Sequence, residues 1–185
     1  MKKIVLVAAA CAISACSAEN ASQGQNVSDA PANASGNTVN ASGKTSVPLA
    51  EVPAEVLAAA RAARPGFTVS EAEAETRDGR RYFDVGGRLQ DGSEVEFDIM
   101  EEGGRWRVVE TQRDIEFAAA PEQVRAAASA HDAALRPTRV IESTQEDGLV
   151  IYELFAPQGG NPQGRKVEIR WDGRRAEILQ QEWAH

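Results

Sequence analysis

The sequence predicts an α+β fold of two tandem helix-plus-antiparallel-strand units sharing one curved sheet, with the helices on one face. Three observations predict it. One order of signals runs through residues 52–112 and returns through 120–183: proline, alanine-rich helix, Arg-Pro, Asp-Gly, aromatic strand, glycine turn, Val-Glu-apolar strand, glycine turn, strand. The apolar period changes from 3.6 to 2 after each helix. Each helix has a single apolar stripe, so it must lay that stripe on a sheet.

The elements follow in order. Pro53 and Pro121 are expected at the first helical position, where proline loses no intrahelical hydrogen bond. The runs AEVLAAARAA and EQVRAAASAHDAA are strong helix formers. Arg64-Pro65 and Arg136-Pro137 are expected to stop them, because the residue before proline disfavours helix. Val52, Val56, Leu57 and Ala60 form one stripe; Val124, Ala127, Ala128, His131 and Leu135 form the other. Strands then start at Phe67 and Arg139. Asp78-Gly79 and Asp147-Gly148 are turn signals. Phe83, Val85 and Leu89 share a face, as do Val150, Tyr152 and Leu154. SEVEFDI and RKVEIRW alternate cleanly, pointing Val95, Phe97 and Ile99, then Val167, Ile169 and Trp171, at the core. Turns are expected at Asp91-Gly92, Gln163-Gly164, Gly103-Gly104 and Asp172-Gly173, with a long loop over 156–164. RWRVVETQ and RRAEILQQEW supply the last strands.

The double unit is read as residues 47–115 and 116–185. Upstream, residues 1–15 have a secretion-signal pattern: Lys2 and Lys3, then an apolar stretch too short for a permanent span. It ends Ile13-Ser14-Ala15-Cys16, which resembles the lipobox of bacterial lipoproteins. That resemblance implies cleavage before Cys16 and lipidation of Cys16, with Cys11 lost. Ser17 in place of aspartate then implies the outer membrane, so the expected location is its periplasmic side. Residues 16–46 are Ser-, Asn-, Ala- and Gly-rich and are expected to be a lipid-anchored disordered tether, spanning roughly 30 Å on average as a coil. Loss of Lys2 and Lys3 leaves 18 basic residues against 28 acidic ones, which disfavours a nucleic-acid partner and direct docking on anionic lipid.

The segments AEVPAEVLAAARAARPG, DGRRYFDV and DGSEVEFDI, with their counterparts APEQVRAAA, DGLVIYEL and GRKVEIRW, resemble the PepSY-like family with the β-lactamase-inhibitor-protein fold. The resemblance covers nearly all of 47–183 and implies an inhibitor or binding module of the cell envelope that grips its target with a concave sheet surface. The outer-membrane assembly lipoproteins with a related small fold are a more distant comparison, and the double repeat counts against them.

Chemistry-bearing residues are sparse. His131 reads as a core-edge residue on a helical stripe, and His185 is the last residue. No G-x-S-x-G elbow is present, so no catalytic residue, cofactor or metal is assigned and the chain is read as a non-enzyme. Glu71, Glu73 and Glu75, then Glu94, Glu96 and Asp98, alternate as a solvated acidic face would, with calcium binding as the alternative. Paired carboxylates such as Glu96 and Asp98 also suit an envelope glycan hydrolase. The leading reading is a lipid-anchored extracytoplasmic module that binds an envelope or extracellular protein through an open sheet face. The residues expected on that face are Tyr82, Asp84, Glu96, Ile151, Phe155, Lys166 and Arg170. Its charge is expected to divide, negative around Asp84 and Glu96 and positive at Lys166 and Arg170.

Overall fold

The computed structural model describes residues 43–183. Its backbone is shaped first by tight hairpins. Asp78-Gly79, Gly103-Gly104 and Gly159-Gly160 all hold positive φ at both positions, the geometry that matches the twist of paired strands. The strands they and the other turns join are β1 (Thr45–Ser46), β2 (Thr68–Arg77), β3 (Arg80–Arg88), β4 (Glu94–Glu102), β5 (Arg105–Ile115), β6 (Arg139–Gln145), β7 (Val150–Gln158), β8 (Asn161–Trp171) and β9 (Ala176–Ile178). They form one nine-stranded sheet in which spatial order equals chain order and every pair is antiparallel.

The expected fold class is therefore corrected. The fold is dominated by a single continuous sheet, not by two helix-plus-strand units. Strands β5 and β6 pair over six positions, from Glu110↔Gln145 to Ile115↔Val140, so no seam divides the sheet there. The helices are minor: α1 (Ala54–Ala63) and α2 (Glu122–His131) have ten residues each, and each fully buries only two of its own side chains.

Those helices lie on clusters that the strand alternation supplies. Val56 and Ala60 of α1 join Phe67, Phe83, Val85, Val95, Phe97 and Ile99. Val124 and Ala128 of α2 join Val140, Tyr152, Leu154, Val167 and Ile169. The pairing register puts both clusters on the same sheet face. Aromatic edges lock the first, with Phe67 against Phe97 at 4.9 Å and Phe83 against Trp106 at 5.3 Å.

Several boundaries differ from expectation. Pro53 and Pro121 cap the helices in extended geometry and the first helical residues follow them. The second helix stops at His131, well before Arg136-Pro137, because Asp132 leaves helical geometry and its Oδ1 accepts from the Ala134 N–H. His131 is thus exposed and not on the core stripe. The loop expected over 156–164 is instead the tip of the β7–β8 hairpin, turned by Gly159-Gly160 rather than Gln163-Gly164. The final strand is only three residues long. At the other end, Thr45 and Ser46, expected in the tether, pair with Ala74 and Glu73. Residues 1–15, read from the sequence as a signal peptide, together with Cys16 and His185 lie outside the described residues.

Candidate functional site

Alternation along β3 and β4 sends Tyr82, Asp84, Glu96, Asp98 and Met100 away from the helices. Sequence logic expects such residues to be wet. Here both faces of these strands are buried: every residue in 82–87 and 95–100 is covered. The expected open face is corrected accordingly. Tyr82, Asp84 and Glu96 are buried, and Ile151 is completely so at 0 % exposure. Phe155, Lys166 and Arg170 keep partial exposure.

The register groups the polar members of this face. Asp84 and Asp98 are direct cross-strand partners, and Asp98 continues to Glu110 on β5. Directly opposed like charges destabilise a sheet, so this row needs compensation. Part of it comes from Lys44, just before β1, whose Nζ forms an ion pair with Asp84 Oδ2. Burial alone would lower the lysine's pKa, but Asp84, with Asp98 and Glu96 behind it, raises it overall. The ammonium is therefore firmly held in its charged form.

One oxygen each from Asp84, Glu96 and Asp98 lies within 4.8 Å of the other two. Burial pushes the Glu96 carboxyl up to about 7, helped by the charges of Asp84, Glu73 and Glu71 and opposed by Lys44. Burial likewise pushes Asp98 well above the usual carboxylate range, with Asp84, Glu110 and Glu96 adding to it. Asp84 Oδ1, Glu96 Oε1 and Asp98 Oδ1 are buried and accept no hydrogen bond among the described residues. Beside them, Ser143 Oγ donates to Glu110 Oε1 and Gln145 Nε2 donates to Ser143 Oγ at 2.9 Å.

The other end of the face is built differently. Phe155 sits in register between Arg139 on β6 and Lys166 on β8. The Arg139 guanidinium lies 5.7 Å from its ring centre and pairs with Asp114 at 3.0 Å. Lys166 Nζ meets Glu168 at 2.7 Å, Glu182 at 3.5 Å and Glu153 at 3.6 Å. The expected division of charge is therefore blunted, since Lys166 is already surrounded by carboxylates. Arg170 pairs across the strands with Ile151 and Glu177.

Sequence reasoning missed Lys44, Glu110 and Ser143. Lys44 had one signal: it is the only Lys or Arg in residues 17–46. Glu110 and Ser143 had none, since each follows a residue pattern that reads as ordinary strand surface.

For the inverting hydrolase arrangement, the carboxylates are too closely set. Oxygens within 4.8 Å are closer than the roughly 6.5–9.5 Å of an inverting pair, which must admit a water between them. A groove beside the C-terminal end of α1, lined by Arg64, Leu89, Glu94, Arg113, Glu142 and Thr144, does not include Glu96 or Asp98. No protein-family model and no curated protein matches this chain.

Proposed function

We propose that this chain is a lipid-anchored, extracytoplasmic binding module that holds a protein partner of the cell envelope without turning over a substrate. The observation that supports it is the setting of Phe155. It is a large apolar side chain left partly open on a sheet face, flanked in register by Arg139 and Lys166. Aromatic residues beside charged groups are what protein-binding patches concentrate. The anchor and tether read from the sequence would carry that patch well clear of a membrane surface.

Site-specific photo-crosslinking tests this reading. A benzophenone amino acid at position 155 of the full chain, expressed in its own cell, should give a discrete adduct of higher mass. The same probe at Leu49, an exposed apolar residue far from the patch in sequence, should not. Equal labelling from both positions, or no adduct from position 155, overturns the proposal.

A further inference from the structure

We propose that Asp84, Glu96 and Asp98 form a divalent-cation site suited to calcium, and that the Lys44 ammonium is the internal cation that competes with the metal there. The inference is independent of the partner reading and concerns the opposite end of the sheet face.

Three observations carry it. First, the donor set is right: three carboxylates, each with one oxygen within 4.8 Å of the others. A calcium ion bound at about 2.3–2.6 Å from each ligand spans such a cluster, whereas magnesium at about 2.0–2.1 Å needs a tighter one. Carboxylate oxygens alone select hard cations over zinc or copper. Second, the oxygens are buried and idle. Asp98 is 3 % exposed and Glu96 is 9 % exposed, yet Asp98 Oδ1 and Glu96 Oε1 accept no hydrogen bond among the described residues. Buried acceptors are normally satisfied, so idle ones inside a carboxylate cluster mark a place for a positive ligand. Third, the charge does not balance among the described residues. One ammonium, from Lys44, faces three carboxylates, with Glu110 in register behind Asp98.

The cluster also has an approach. Gly86 lies in register between Glu71 on β2 and Glu96 on β4. Having no side chain, it lets Glu71 lean across: a Cβ at Gly86 would lie 3.0 Å from Glu71 Cγ. Glu71 is exposed, so its carboxylate can meet an incoming ion and complete the oxygen shell from the solvent side. Entry of the metal would weaken the hold of Asp84 on Lys44. Since Lys44 adjoins the two-residue strand β1, cation binding should loosen the pairing of Thr45 and Ser46 with β2. The cation would thus act on the root of the N-terminal segment.

The test uses the full processed chain in detergent, stripped with chelator and held at pH 8. Calcium chloride and magnesium chloride are titrated separately, with calorimetric heat and melting temperature as readouts. Expected are one saturable calcium site per chain, weaker magnesium binding, and a raised melting temperature with calcium. Asp98→Asn should weaken calcium binding by about tenfold or more, and Lys44→Met should tighten it by a similar factor. Hydrogen exchange at Thr45 and Ser46 should speed up when calcium is added. No saturable heat and no melting shift up to about 10 mM calcium, beyond the range of weak extracellular sites, overturns the proposal. Binding that Asp98→Asn leaves unchanged also overturns it. If Asp98→Asn does not fold, Lys44→Met decides: tighter binding supports the site, and unchanged or weaker binding overturns it.

Discussion

Glu96→Gln should stabilise the protein at alkaline pH and do little at acid pH. The reason is the direction of the Glu96 shift. Its carboxyl titrates at about 7 when folded, against an ordinary value of 4.5, chiefly because burial disfavours the anion. Between those two values the folded chain holds more protons than the unfolded one, so stability falls as pH rises. Ionising Glu96 in the folded state therefore costs about 3 kcal/mol by pH 8, but only about 1 kcal/mol at pH 5. Glutamine keeps the shape and removes the charge. It should raise stability by about 3 kcal/mol at pH 8 and by about 1 kcal/mol or less at pH 5. Urea unfolding at both pH values, without divalent cations, measures the difference. Asp98 has a raised pKa in the same cluster, so the wild-type pH slope should not vanish in the variant. If Glu96→Gln is destabilising at pH 8, or its effect is the same at both pH values, Glu96 is not the strained buried anion inferred from its setting.

Other predictions follow from packing and processing. Phe83→Ala should cost roughly 3–5 kcal/mol in chemical unfolding, since Phe83 is core and edge-packed on Trp106, while Phe155→Ala should cost clearly less because its ring stays partly open. Gly87→Ala should destabilise by about 1–3 kcal/mol or more, because a Cβ there would meet Thr68 O at 2.2 Å and the Phe67 ring at 2.8 Å; a melting curve like that of wild type would refute this contact. Cys16→Ser should release the chain from membranes or leave it unprocessed, read by fractionation and intact mass. Normal maturation with full membrane retention would remove the lipobox reading.

How much of this could be read from sequence depends on which side of a strand is considered. Phe83 and Val85, Val95, Phe97 and Ile99, Tyr152 and Leu154, and Val167 and Ile169 were assigned to the core by strict alternation, and all lie in the two apolar clusters. Period-2 patterning reports this side well because apolar side chains have one favourable place to go. The opposite side misled. A strand buried on both faces ordinarily reads as a continuous apolar run, and Asp84, Glu96 and Asp98 interrupt that run with charge. Their burial is a property of the assembled sheet and leaves no local trace. Lys44 was hidden for another reason: it stands in a polar, small-residue stretch whose composition argues against order. The paired turn glycines Gly159-Gly160 were read as part of a loose loop because Pro157 and Pro162 flank them. The overall fold was misjudged because the repeated signals were read as two helix-plus-strand units sharing a sheet, whereas one continuous sheet dominates and the helices are minor; the β5–β6 pairing that joins its halves spans a helix and has no short-range signature.

The strict next-neighbour order of the strands has a kinetic consequence. In a meander each strand finds its partner a few residues away, so loop-closure entropy is small at almost every step. Two steps are long: Ser46 to Glu73 across α1, which adds only the two-residue edge strand β1, and Ile115 to Val140 across α2, where the sheet's two halves must be joined. Folding should therefore be fast for an all-neighbour sheet of this size, with the β5–β6 closure as its slow event. A chain emerging N-terminus first could complete β2 through β5 before β6 is available. Substitutions that weaken the β5–β6 pairing, such as at Thr111 or Thr144, would then slow folding more than equal damage within the β3–β4 hairpin.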